Sequence, residues 1–215
     1  MKISILCSDS GHPIFPQLRD WATRHARIHE VAIETRSKDL VGGDVLFLVS
    51  CNEMIPPSLR AKFRKTLVLH ASDLPQGRGW SPHIWSVLEN KCRIVVSILE
   101  ADDPVDTGAI WARVAFDLEG HELYDEINAS LFAAELRLLD IAVRDFDHIQ
   151  PMPQSEGGAS YHRRRTPEDS KIDIDASIHQ QFALLRVCDP ARYPAYFEKD
   201  GHIYEIILRK RAERK

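Results

Sequence analysis

The sequence predicts an α/β fold: a Rossmann-like, mostly parallel sheet with flanking helices, plus a small C-terminal appendage of one helix and a β-hairpin. Three observations predict it. Apolar runs without polar alternation recur in the first half, as in "GGDVLFLVSC" and "KTLVLH", the composition of strands covered on both faces. Stretches of helical periodicity separate these runs, the pattern of βαβ units. Near the end, "RYPAYFEKDGHIYEIILRKR" (192–211) holds two strand-like runs around Asp200-Gly201, a strong hairpin signal.

The elements follow in order. "KISILCS" (2–8) is a first strand, and "PIFPQLRDWATRH" (13–25) places Leu18, Trp21 and Ala22 at helical spacing. "HEVAIET" (29–35) and "GGDVLFLVSC" (42–51) are strands. "PPSLRAKF" (56–63) is a short helix entered through prolines, and "KTLVLH" (65–70) is a buried strand. Ser81 is placed to cap a helix with Pro82 at its first position, "SPHIWSVLEN". "CRIVVSILE" (92–100) and "AIWARVAFDL" (109–118) are strands, the second an outer one. From Glu122 to about Asp147 one long amphipathic helix carries Leu123, Ile127, Leu131, Ala134, Leu138 and Ile141 on one stripe. "QPMPQSEGGAS" (150–160) is a linker by composition. The expected organisation is a catalytic domain over 1–149, the linker over 150–160, and the appendage over 161–215, with "ASIHQQFALLRVCD" (176–189) as its amphipathic stretch.

With 215 residues the chain can build one substantial core, or a core plus an appendage. The net charge of -4 disfavours a general affinity for nucleic acid or anionic membrane. Cys7, Cys51, Cys92 and Cys188 form no CxxC pair, so reduced thiols are expected rather than a disulfide framework or a metal site. No apolar run reaches the roughly 18 residues of a membrane helix, and "MKISILCSDSGHP" does not read as a secretory signal. The expected location is the cytoplasm.

Candidate chemistry gathers in "LHASDLPQGRGWSPHIW" (69–85) and "PVDTGAI" (104–110). In open α/β sheets ligands collect outside the carboxyl ends of the strands. His70 ends a strand, and Asp106 sits in an Asp-Thr-Gly turn expected at the same sheet edge. Together they would make an acid–base pair whose imidazole also stabilises an oxyanion. On residues alone, a strand-end histidine satisfied by backbone and a turn-shaping aspartate are the more ordinary explanation of the pattern.

The composite resembles the N-formyltransferases that use 10-formyltetrahydrofolate. Their pattern is Asn-x-His, then Ser-Leu-Leu-Pro, Arg-Gly and Pro, with Asp-Thr-Gly or Asp-Ser-Gly downstream. Here stand His70, "SDLP" (72–75), Arg78-Gly79, Pro82 and "DTG" (106–108). "RRRTPEDSKIDID" and "LLRVCDPARYPAYFEKDGHIY" are similar to the C-terminal part of short amino-sugar-nucleotide formyltransferases, including those of pseudaminic-acid pathways. The resemblance implies formyl transfer from 10-formyltetrahydrofolate to the amine of a nucleotide-linked amino sugar, without a metal. His70 would face the formyl oxygen, and Asp106 would hold His70 and help to remove the amine proton.

One position departs from the pattern. The family's asparagine, two residues before the histidine, is Val68 here, and valine donates no hydrogen bond. Asn52, at the expected end of the neighbouring strand, is the candidate replacement; otherwise it only caps the helix that follows. Substrate contacts are expected at Arg78, Trp80, His83, Arg163, Arg164 and Arg165, the three consecutive arginines suiting a nucleotide diphosphate. Each has an ordinary alternative: Arg78 as a loop pin, Trp80 as core, His83 as a surface residue at the second helical position, the arginines as a solvated charge run. The resemblance places the folate along 85–92 and 100–106, hence at Trp85, Val87, Leu88 and Asp102. With about 55 residues after the linker, the tail is shorter than the second domain of tRNA formyltransferases, so a small acceptor is expected. The hairpin aromatics offer a homodimer surface. The rivals are a formyltransferase or hydrolase acting on another small amine or folate, and a degraded, ligand-binding homologue.

Overall fold

A computed structural model describes residues 1–211 of the chain; the last four residues of the expected appendage lie outside the described residues. β1 (Lys2–Leu6), β2 (Glu30–Glu34), β3 (Gly43–Leu48) and β4 (Phe63–His70) form a parallel array, with α1 (Phe15–His25) and the short α2 (Pro57–Arg60) in its crossovers. The two-residue β5 (Arg78–Gly79) and α3 (Pro82–Leu88) follow, then β6 (Arg93–Glu100) and β7 (Ile110–Asp117). The sheet order is β2-β1-β3-β4-β6-β7.

The direction of β6 departs from a uniformly parallel sheet. It pairs antiparallel with both β4 and β7, so five strands run one way and β6 alone runs the other. An unbroken apolar run reports burial on both faces and carries no information about direction.

The alternating faces of the strands explain the run composition. Ile3, Ile5, Val45, Phe47, Leu67 and Leu69 point into the core shared with α1 and with α4 (Tyr124–Arg144). Leu6, Leu46 and Leu48 point the other way, in a cluster with Leu40 and Ile55 from the connecting loops and Phe63 at the start of β4. Trp21 is fully buried, and its indole N–H donates to Asp140 Oδ1 at 2.7 Å, tying α1 to α4.

The C-terminal segment packs onto this layer. β8 (Tyr161–His162) pairs in parallel with β5. α5 (Ile178–Val187) sends Val187 into a cluster with Ile84, Val87, Ile94, Leu118 and Ile127. β9 (Ala195–Lys199) and β10 (His202–Ile206) form the hairpin, with Asp200 and Gly201 at φ +51° and +77°. Paired positive φ values are what a two-residue hairpin turn requires. The 150–160 segment does more than connect: Met152 exchanges backbone hydrogen bonds with Ile110 at the end of β7.

Candidate active site

His70 closes β4 and is 7% exposed. Side chains alternate along a strand, so it shares a face with Thr66 and Val68, opposite the α1–α4 core. Over that face lie two loops. Residues 71–81 send Leu74 against Val68, Leu99 and Ile110. Residues 101–109 connect β6 to β7 and begin where Ala101 N–H donates to Thr66 O at 2.8 Å.

The two loops bring His70 and Asp106 together, with His70 Nδ1 3.6 Å from Asp106 Oδ1. Asp106 is also buried, at 8% exposed. The route differs from the expected one. Because β6 runs antiparallel, Glu100 stands opposite Leu67 rather than beside His70, so the loop doubles back to deliver Asp106. Asp106 itself takes φ +62°, a left-handed conformation that costs a non-glycine residue roughly 1–2 kcal/mol.

The surrounding bonds explain the motif. Asp106 Oδ2 accepts from Gly79 N–H at 2.9 Å. Gly79 has φ +94°, and a Cβ there would lie 2.3 Å from His162 O. A Cβ on Gly108 would lie 2.0 Å from Glu100 O. Both motif glycines are therefore required by close backbone approach. His70 Nε2 sits 2.8 Å from Gly77 O, so each ring nitrogen has an oxygen acceptor nearby.

Behind the pair stands Gln154, which no expectation singled out. Its Nε2 donates to Asp106 O (2.8 Å) and Gly108 O (3.0 Å), and its Oε1 accepts from Arg78 Nη2 at 2.7 Å. A glutamine in a stretch rich in proline and glycine carries no periodic signal, so the sequence offered no sign of it. Arg78 is thus a loop pin, although its Nε is buried with no partner.

Other expected residues fall in different places. Ser81 makes no side-chain cap and adopts φ +48°. His83 is not on the surface. It is half-buried near His12 and His70, and burial, then those two imidazoles, push its pKa down to about 4. Trp85 stacks on His162 at 5.5 Å, is covered by the Arg163 guanidinium, and donates its indole N–H to Arg163 O. Val87 is fully buried, and Leu88 packs on the same cluster. The side chains of α3 are thus occupied by the joint with the C-terminal segment and not by an open surface. Arg163 Nη1 donates to Asp169 Oδ2 at 2.7 Å, and Arg165 donates to Asp169 O, so neither stands free for a phosphate. Arg164 lies over Trp80, which is 40% exposed, and forms no ion pair among the described residues. Asp102 is exposed on the 101–109 loop, next to Asp103, which Arg60 binds. Asn52 is exposed beyond β3, with its backbone N–H on Ser8 Oγ at 2.8 Å. Val68 is half-buried among apolar neighbours.

Comparison with known proteins follows the same outline. The sequence profile of a family described as formyl transferase matches residues 8–143. Methionyl-tRNA formyltransferases of Rickettsia massiliae and Rickettsia felis are 30% and 29% identical over 169 residues, 78% of this chain and 55% of each relative. The chain thus spans about half the length of the curated relatives it matches. A methionyl-tRNA formyltransferase from Clostridium thermocellum superposes with a TM-score of 0.82 at 22% identity, over 100% of this chain and 94% of that one. A 4-N formyltransferase from Francisella tularensis gives 0.78 at 18%, over 99% and 98%. HypX from Aquifex aeolicus in complex with tetrahydrofolic acid gives 0.79 at 20%, over 94% and 36%. At these identities the superpositions establish the shared fold.

Proposed function

The chain belongs to the formyl transferase family, and we propose that it transfers a formyl group from 10-formyltetrahydrofolate to the amine of a nucleotide-linked amino sugar. The observation that carries this reading is the buried contact between His70 and Asp106 inside the loops that bear the Arg-Gly and Asp-Thr-Gly motifs.

The uncharged amine attacks the formyl carbon. The bond from that carbon to folate N10 breaks, and the amine proton passes to N10. Negative charge develops on the formyl oxygen, and an imidazolium held by a carboxylate stabilises it. His70 supplies that donor by exchanging its Gly77 carbonyl partner for the oxyanion. Asp106 keeps the ring oriented. Asn52, across the strand ends, is the proposed second donor in place of Val68.

The pterin is assigned to the 101–105 side. Thr66 Oγ1 is buried without a partner at the strand position where the 101–109 loop begins, and Asp102 on that loop is exposed; unmet polar groups suit a heterocycle rich in donors and acceptors. Arg164, exposed and stacked over Trp80, is the cation proposed for the nucleotide diphosphate. The small acceptor is favoured over a nucleic acid by the net charge of -4. Methionyl-tRNA remains the second reading because it is the named substrate of the Rickettsia relatives.

The test supplies 10-formyltetrahydrofolate with UDP- and dTDP-linked amino sugars, and separately with initiator methionyl-tRNA. The expected result is tetrahydrofolate release that requires the amino sugar, with a formamide product by mass spectrometry. Release without any amine, or transfer to the tRNA alone, would overturn the sugar reading. His70→Ala and Asp106→Ala are each expected to abolish transfer while the far-UV spectrum stays unchanged.

A further inference from the structure

The N-terminal half of α4 carries a polar stripe that the His70–Asp106 pair does not use. Tyr124, Asn128, Phe132 and Glu135 follow at steps of four, four and three residues, so they share a helix face. That face looks toward the carboxyl end of β1 and the loop after it. The His12 ring lies 6.0 Å from Phe132, and Cys7 belongs to the same core cluster as Phe132. At the outer end the Tyr124 hydroxyl lies close to Asp189 and Asn128. Asp189 and Asn128 are 6% and 7% exposed.

Glu135 is the anomalous member. It is 7% exposed, it sits between Leu131 and Leu138 of the core, and its Oε2 has no hydrogen-bond partner. Burial raises its pKa to about 8. A carboxyl group in that position destabilises the fold, because its unmet oxygen keeps the desolvation cost that a hydrogen bond would offset. A leucine would fill the same space without that cost.

We infer that this stripe seats the sugar ring of the acceptor, with Glu135 and Asn128 accepting and donating hydrogen bonds to its hydroxyl and amino substituents. The inference rests on the proposed function and adds the subsite. Charge divides the acceptor in two. The buried Asp189 beside Tyr124 disfavours phosphate at the stripe, and Asp9 and Arg192 pair at 2.7 Å, so that cation and that carboxylate offset each other. The diphosphate is left to Arg164. A ring bearing hydroxyl and amino groups offers both donors and acceptors, which suits a stripe that combines a carboxyl, an amide and a phenol.

Titration calorimetry tests this with dTDP, UDP and their amino-sugar conjugates, on wild type and on Glu135→Leu and Asn128→Leu. Glu135→Leu is expected to weaken binding of the conjugate at least tenfold, to leave the parent nucleotide within twofold, and to melt no lower than wild type. A variant that binds the conjugate as wild type does, or that loses stability with affinity unchanged, makes Glu135 a packing residue and overturns the inference. If wild type binds no conjugate and transfers no formyl group to one, the proposed acceptor class fails instead. Thermal shift with free glucosamine then tests the stripe by itself, and no shift in wild type overturns it too.

Discussion

Asp106 holds two partners at once from a left-handed backbone, and its substitution separates charge from shape. Asp106→Asn retains an oxygen for Gly79 N–H but loses the charge beside His70. It is expected to lower kcat by about 10²–10⁴ while the melting temperature stays within a few degrees; unchanged kcat would remove Asp106 from the chemistry. Asn52→Ala is expected to slow transfer at least about tenfold if Asn52 replaces the donor missing at Val68. Glu135 gives a pH signature. Its folded pKa lies above its ordinary value of 4.5, at about 8, so between those values the folded state binds more protons than the unfolded state, and stability falls as pH rises through that window. Glu135→Gln is expected to flatten that fall in a series of melts from pH 5 to 8. Equal slopes in the two proteins would mean that the carboxyl is not buried as described.

At the scale of elements, β5 and β8 are only two residues each, yet they hold the site shut. Gly79→Ala forces a Cβ to 2.3 Å from His162 O, and is expected to separate the two strands and cost about 1–3 kcal/mol. Gly157→Ala, where nothing lies within 4 Å, is the matched control and should leave melting and turnover near wild type. The comparison also shows where legibility ended. Strands and helices were readable because burial on one face or two leaves a period in the residues. The hairpin was readable because Asp-Gly permits a turn that few other pairs permit. The reversal of β6 was not, since strand direction leaves no mark on composition. His70 and Asp106 were picked out as a motif, but the expected shared edge was replaced by a loop folding back. Gln154, and the burial of Trp85, Val87 and His83, depend on contacts across scores of residues, which no local pattern encodes.

On the scale of the molecule, the C-terminal segment is joined to the sheet by packing and by charge. Val187 sits in a cluster with residues of α3 and α4. Arg186 reaches Glu122 at 3.2 Å, with side chains 6% and 14% exposed. Removing one member of a buried pair strands the other, at about 3–5 kcal/mol. Arg186→Met is accordingly expected to lower the melting temperature by roughly 10 °C, in one cooperative transition for the whole chain. Two resolved transitions would show that the segments melt independently.

The backing that Gln154 and His162 give to Asp106 and Gly79 has a consequence in time. During synthesis the N-terminal layer emerges first, at about 5–20 residues per second, and for several seconds the ribosome carries a nascent chain whose histidine and aspartate have no scaffold behind them. In the proposed mechanism the site is completed late, by the arrival of a short distant stretch of polypeptide, so an unfinished chain would have little means of spending one-carbon units.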